Sequence, residues 1–565
     1  MSSSKTTCLV KFVASDMSTI REIEVPCGVT LLEAAVKAGI DLRATCGGTG
    51  RCGKCKVKPM GEVSGLTSIE GKHLSSNDLA SGIRLACQTN TLGDVVVILP
   101  GESSFAGARI LTDTIQISDF SISPIPPSVA PGRVQGGASY GVAIDIGTTT
   151  LVAYLMDLTS GKQLAVASRV NPQSKFGADV ISRIAYAGSS PEATAELRSA
   201  VLGGVNAIIK EAAAKAGVET GKISSAVVVG NTCMHHLFLG IDPSPLGVAP
   251  FEPVVKSGLT LTQEESGLEI GHDGTVFLLP NIGGFVGADT VAVILASGLD
   301  RREGTAMAID LGTNGEMVLR SKGKLLACST AAGPAFEGWR ISVGMPATAG
   351  AIDHVSFDHG VGDIHFSTIG GAKPLGICGS GMADLVAGFL TLGIITETGR
   401  MRTREEVIEV FGELPLFNRI QNGSSEVEFV ISKPQITFKQ RDVRELQLAS
   451  AAIHAGIETL KRMAGVDDSD IEAVYLAGGF GNYISKESAR ILGIVPQVSL
   501  DKIIPIGNGA GAGAIMALLS KEAAERALRI AEEVEHVDLG GQPGFSEAFM
   551  NAMVYASARQ APIPS

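Results

Sequence analysis

A chain of 565 residues exceeds what one hydrophobic core supports and should divide into three or four domains. Its composition, 45% hydrophobic and 18% charged, is that of a globular protein and excludes extensive disorder. A net charge of −12 argues against nucleic acid and anionic membrane as partners.

The first seven residues, Met-Ser-Ser-Ser-Lys-Thr-Thr, lack the apolar core of a signal peptide. No apolar run approaches the roughly 20 residues that cross a bilayer. The expected location is therefore cytoplasmic. Residues 7–15 and 20–26 alternate as two strands, Thr30 to Ala38 is an amphipathic helix stopped by Gly39, and Asp94 to Leu99 is a buried strand. Together they predict a small mixed β domain over residues 1–100.

Within that domain lies Cys46-Gly-Gly-Thr-Gly-Arg-Cys52-Gly-Lys-Cys55, with a fourth cysteine, Cys87, downstream. Three closely spaced thiols and a distant fourth form the ligand pattern of a ferredoxin [2Fe–2S] cluster. The competing assignment is structural zinc, but zinc sites usually pair two short cysteine hairpins. Five residues separate Cys46 from Cys52 where the plant-type loop has four, which resembles the vertebrate-type ferredoxin loop. Of nine cysteines, Cys8, Cys27, Cys233, Cys328 and Cys378 are left over. An odd remainder reads as free thiols in a reducing compartment.

Residues 101–139 are rich in proline and serine and predict a semi-rigid linker. From Tyr140 strands alternate with helices, as in an α/β domain of two halves, about 140–303 and 304–565. Strands are predicted at 142–146, 227–229, 276–279, 306–309 and 473–476. Helices are predicted at 192–216, 288–297, 443–464 and 521–534, with 506–519 a further candidate that is glycine-rich at its start.

The halves share an echo. Asp145-Ile-Gly147-Thr148-Thr149-Thr150 recurs as Asp310-Leu-Gly312-Thr313-Asn314-Gly315, each after an apolar strand and before a second one. A strand ending in Asp and turning through Gly-Thr can wrap phosphate oxygens with N–H and hydroxyl donors. The carboxylate at the strand end is placed to hold Mg²⁺ through water. One such turn could be an ordinary hairpin; two in the same context point to a cleft between similar halves. A third element, Gly478-Gly479-Phe-Gly481, follows a strand and offers bare backbone to an adenosine ring, although alone it reads as a simple turn.

With these residues the chain resembles the acetate and sugar kinase, Hsp70 and actin superfamily. The resemblance implies a duplicated, ribonuclease H-like ATPase fold. It makes Asp145–Thr150 the first phosphate loop, Asp310–Gly315 the second and Gly478–Gly481 the adenosine segment. Joined to a β-grasp ferredoxin-like domain, the whole resembles the reductive activators of corrinoid proteins. Gly230-Asn231-Thr232, Pro280 to Asp289, Ala332 to Gly338 and Gly507 to Gly511 fit that family as well.

The resemblance implies an ATP-dependent oxidoreductase that returns a corrinoid protein from Co(II) to Co(I). It implies a [2Fe–2S] cluster, ATP with Mg²⁺, a low-potential electron donor and a homodimer. Plant-type clusters sit at about −400 mV, so reduction of Co(II) is uphill, by about 2.3 kcal/mol for each 100 mV. Three alternatives stay open: an ATP-dependent activator of another low-potential enzyme, a small-molecule kinase with a redox-sensing domain, and a non-enzymatic electron carrier whose nucleotide fold is a relic or scaffold. His235-His236 is read as a helix cap with a partly buried imidazole, and Trp339, the single tryptophan, as core or interface packing.

Overall fold

The computed structural model describes residues 6–14, 17–40, 42, 44, 48–50, 53–100, 112, 123, 139–358, 362–423, 425–432 and 436–555. Two compact units emerge, one of residues 1–108 with 172–183, the other of 109–171 with 184–565. Almost all of the proline-rich segment lies outside the described residues, as do Cys46 and Cys52.

The first unit contains β1 (Thr7–Val13), β2 (Thr19–Pro26), β3 (Lys56–Val63), β4 (Arg84–Leu85) and β5 (Thr91–Ile98). They form one sheet in the order β2-β1-β5-β3-β4. Only β1 and β5 run parallel; the other pairs are antiparallel. This is the β-grasp arrangement, with the helix Leu31–Lys37 laying Leu31, Ala34 and Ala35 into the core. Thr30 starts that helix through a capping box with Glu33. Where the pattern predicts three strands, the unit has five. β3 escapes prediction because its sequence, with Pro59 and Gly61, does not alternate.

A correction concerns the spare cysteines. Cys8 and Cys27 are joined by a disulfide, at a Cα separation of 5.2 Å. The antiparallel register that pairs Cys8 with Val25 brings them together. Cys233, Cys328 and Cys378 are buried and form no disulfide.

The second unit carries two six-stranded sheets. The first uses β6 (Tyr140–Ile146), β7 (Thr150–Asp157), β8 (Gln163–Val170), β9 (Ile223–Gly230), β10 (Leu259–Thr262) and β11 (Thr275–Leu278), in the order β10-β11-β9-β6-β7-β8. The next strands are β12 (Thr305–Leu311), β13 (Gly315–Ser321) and β14 (Lys324–Thr330). Two three-stranded sheets follow, from β15 (Ala351–Asp358), β16 (Asp363–Thr368) and β17 (Gly376–Ile377), and from β18 (Ile420–Asn422), β19 (Val427–Ser432) and β20 (Ile436–Lys439). With β21 (Ile471–Ala477), β22 (Ile503–Pro505) and β23 (Val534–His536), the second large sheet runs β22-β21-β12-β13-β14-β23.

Five strands of each large sheet follow one plan: an antiparallel meander (β6-β7-β8, β12-β13-β14) with two parallel strands on its first edge (β9 and β11, β21 and β22). The fold is thus the duplicated α/β arrangement expected, with a shared core between the sheets. Ala143, Val152 and Val229 of one sheet and Ala308, Val318 and Ala473 of the other bury against the helices Ala288–Ser297 and Gly509–Leu519. That packing brings the ends of β6 and β12 to one cleft.

Candidate active site

Each Asp-Gly-Thr turn is a tight hairpin built on cross-strand pairing. Asp145 pairs with Val152 and Gly147 donates its N–H to the Thr150 carbonyl at 2.8 Å. In the second copy Asp310 pairs with Glu316, and Gly312 donates to the Asn314 carbonyl at 3.0 Å. The turns meet: the Thr149 and Thr313 hydroxyls lie 3.2 Å apart.

Two asparagines fix these turns by the same device. Asn231 caps the helix Thr232–Leu239, its Oδ1 accepting from the Met234 N–H, while its Nδ2 donates to Thr148 Oγ1 at 2.9 Å. Asn508 caps Gly509–Leu519 through the Gly511 N–H, and its Nδ2 donates to Asp145 Oδ2 at 2.8 Å. Both amides thus satisfy a helix N-terminus and orient a loop residue. Asn171 adds a bond from Nδ2 to the Gly147 carbonyl at 2.8 Å.

Gly478 starts the single helical turn Gly478–Gly481 after β21. At φ +86°, its missing Cβ would sit 2.4 Å from Asp310 Oδ1. Only glycine lets this backbone reach the second turn. Around Gly479 a Cβ would meet nothing within 4 Å, while Gly481 faces Leu311. The proposed adenosine segment and the second phosphate turn therefore share one place.

The electrostatics of the cleft are dominated by four acids. Loss of water is the main cause that raises each: Asp145 up to about 7, Asp289 to about 6, Asp310 to about 8, and Glu316 well above the carboxylate range. Charge from Asp289 adds to the shift of the other three, while the Asn508 amide opposes it at Asp145. Asp145, Asp289 and Asp310 retain partial solvent access, and Glu316 is buried. Such a set asks for a cation. Among the described residues no three acids, cysteines or histidines converge as a ready metal cage. Mg²⁺ keeps several waters and takes one or two carboxylates plus phosphate oxygens.

Glu316, Asp289 and Glu337 do not stand out in the sequence as site residues. Glu316 does break the internal repeat, since Val152 occupies its place in the first hairpin. The histidines do not cap the helix, a role that Asn231 takes, and both are buried rather than partly buried. His236 Nδ1 lies 2.7 Å from the Thr232 carbonyl, to which it donates, and its Nε2 accepts from the Val254 and Val255 N–H groups. Burial drives His235 down to about 3, so both rings are neutral near pH 7.

In the first unit, the backbone of Ala86 donates to the Cys55 carbonyl at 2.8 Å, holding the segment of the distant cysteine against the cysteine loop. Cys55 and Cys87 are both buried. Gln88 donates from Nε2 to Cys87 Sγ at 3.6 Å, a contact of the type that tunes cluster potential. Gly50, at φ +76°, turns the loop where a Cβ would strike Ile69 and the Gln88 amide. Glu70 accepts from Arg84, Leu85 and Thr89 and so pins the Cys87 segment. These described residues fit a [2Fe–2S] cluster, which Cys46, Cys52, Cys55 and Cys87 would hold.

The comparisons with known proteins agree along the chain. A 2Fe-2S iron-sulfur cluster binding domain matches residues 15–91, the RACo middle region 140–302, and the C-terminal domain of RACo, the ASKHA domain, 304–565. The corrinoid activation enzyme RamQ of Eubacterium limosum is 34% identical, over 94% of this chain and 96% of that protein. The chain belongs to the corrinoid-activation family. A second relative, the [Co(II) methylated amine-specific corrinoid protein] reductase of Methanosarcina barkeri, is 26% identical over 74% of this chain and 77% of its own. Among solved structures, a reductive activator for corrinoid, iron-sulfur protein superposes with a TM-score of 0.69 at 31% identity, covering 97% of this chain and 98% of the other. Family membership carries with it the [2Fe–2S] cluster and ATP with Mg²⁺ as cofactors. Among the described residues no helix is long and apolar enough to cross a membrane.

Proposed function

We propose that this family member is an ATP-dependent reductive activator that delivers one electron to a corrinoid protein holding inactive Co(II), returning it to Co(I). One observation carries the reading: a single chain, matched end to end by corrinoid activators, joins a cysteine loop to two facing Asp-Gly-Thr turns. When bound, the cluster supplies a one-electron carrier, recharged by a low-potential donor, and Mg-ATP supplies the driving free energy.

The residues have distinct tasks in this reading. Asp145 and Asp310 hold Mg²⁺ through water and orient the water that attacks the terminal phosphate. Thr148, Thr149, Thr313, Asn314 and the N–H groups of Gly147 and Gly312 bind phosphate oxygens. Gly478, Gly479 and Gly481 give the adenosine a backbone surface. What supports these roles is the convergence of both turns and Gly478 on one acid-lined cleft.

The net charge of −12 supports excluding nucleic acid and anionic membrane as partners. A homodimer and a cytoplasmic location rest on the family resemblance; sedimentation at micromolar concentration tests the dimer. The activity is tested by mixing the reduced protein with a Co(II) corrinoid protein, with and without Mg-ATP, while recording the visible spectrum. Co(I) should appear fast with Mg-ATP and slowly or not at all without it. If no Co(I) forms under either condition with a competent donor, the activator reading fails.

A further inference from the structure

The hydroxyls assigned above to phosphate are already engaged. Thr313 Oγ1 donates to Glu337 Oε1 at 2.7 Å, and Thr149 Oγ1 lies 3.3 and 3.2 Å from the two oxygens of the same carboxylate. One carboxylate therefore bridges the two halves at the point where their turns meet. Its other neighbour is the single tryptophan of the chain: Trp339 Nε1 donates to Glu337 Oε2 at 3.0 Å.

Glu337 ends the short turn Pro334–Glu337, and the residue before it, Phe336, stacks on Phe480 of the adenosine segment at 4.3 Å and 16°. Past Trp339 the segment is anchored again, Ser342 donating its N–H and hydroxyl to Asp442 at 2.8 and 3.0 Å. The carboxylate thus sits on a short stretch held at both ends.

A hydroxyl has one proton to donate. A carboxylate and a phosphoryl group, both anionic acceptors, cannot both take it, and their charges repel at this range. We propose that Glu337 stands in for the terminal phosphoryl group of the nucleotide and is the residue that reads its presence. Resting on the nucleotide assignment of the two turns, the inference is that ATP displaces the Glu337 carboxylate from Thr149 and Thr313, breaking its bond to Trp339. ADP, lacking that phosphoryl group, leaves the bridge intact. Discrimination arises because only ATP interacts differently with the bridged and released states.

The test uses the full-length protein and its one tryptophan. Titration with Mg²⁺ and a non-hydrolysable ATP analogue should shift Trp339 emission, and Mg-ADP should not, while equilibrium dialysis measures the binding of each. In E337Q, which keeps the shape and removes the charge, analogue affinity should rise roughly tenfold, the equivalent of about 1.4 kcal/mol, with little change for ADP. The emission of nucleotide-free E337Q should move toward that of the analogue-bound wild type. Saturating analogue without a change in Trp339 emission overturns the inference. So does E337Q with unchanged affinity and slowed hydrolysis, which would make Glu337 a water-positioning base. Dialysis showing no nucleotide binding instead removes the assignment of the turns, and the inference with it.

Discussion

Asp310 and Asp145 have opposite relations to protons and to Mg²⁺, and this predicts a pH dependence. Desolvation raises them to about 8 and about 7, above the 3.8 of an unhindered aspartate. The folded protein without metal therefore binds more protons than the unfolded chain between about pH 4 and 8. Across that window stability from these groups falls as pH rises, being fully present only below the unfolded value. Mg²⁺ requires the carboxylates ionised, so its binding releases protons and strengthens with pH. The thermal shift caused by Mg²⁺ and an ATP analogue should be larger at pH 8.5 than at pH 6. D310N should flatten most of that difference and, like D145N, abolish ATP hydrolysis while leaving the cluster's visible spectrum unchanged. Equal shifts at both pH values in wild type and variant would show that Asp310 does not meet the cation. The two aspartates are legible in the sequence because each ends an apolar strand before Gly-Thr. Asp289, Glu316 and Glu337 are not, because one starts a helix, one lies across a hairpin and one closes a remote turn. Only tertiary packing brings them to the same water-poor cleft.

At the scale of elements, most buried strands with an uninterrupted apolar run were readable, although β14, inside its sheet, was not. β6, β9, β12 and β21 are buried along most of their length and read as continuous hydrophobic segments. β8, with its exposed Gln163 and Arg169, has no such run, and β16 alternates too weakly to distinguish from loop. The disulfide between Cys8 and Cys27 escapes for a related reason: it depends on register, which spacing does not report. Within the cleft, the turn at Gly478 is tightly constrained, with backbone in place of a side chain against Asp310. G478A would place a methyl group 2.4 Å from that carboxylate in a backbone conformation unsuited to alanine. The expected result is loss of nucleotide binding in equilibrium dialysis, with β-sheet circular dichroism and cluster absorbance retained. Wild-type affinity in G478A would mean that the nucleotide does not use this turn.

For the whole molecule, two compact units imply separable losses. Cys87 lies in the core of the first unit beside Leu85, Ala86 and Cys55, and its segment is held by Glu70 within the same unit. The acid cleft draws every one of its described residues from the second unit. Replacing Cys87 by serine removes a soft thiolate that iron favours and offers a harder oxygen ligand in its place. C87S should lose or weaken the visible bands of the cluster and fail to convert a Co(II) corrinoid protein to Co(I). Its Mg-ATP affinity, measured by dialysis on the same preparation, should stay within about twofold of wild type, because sites that share no partners perturb each other little. A parallel fall in nucleotide affinity would reveal energetic coupling between the units. The electron-carrying part and the nucleotide-binding part would then act as one thermodynamic system, with the reciprocal expectation that ATP shifts the reduction potential of the cluster. Preserved affinity with abolished Co(I) formation leaves coupling to arise only when the corrinoid partner is engaged, and a titration of nucleotide in the presence of that partner would then measure it.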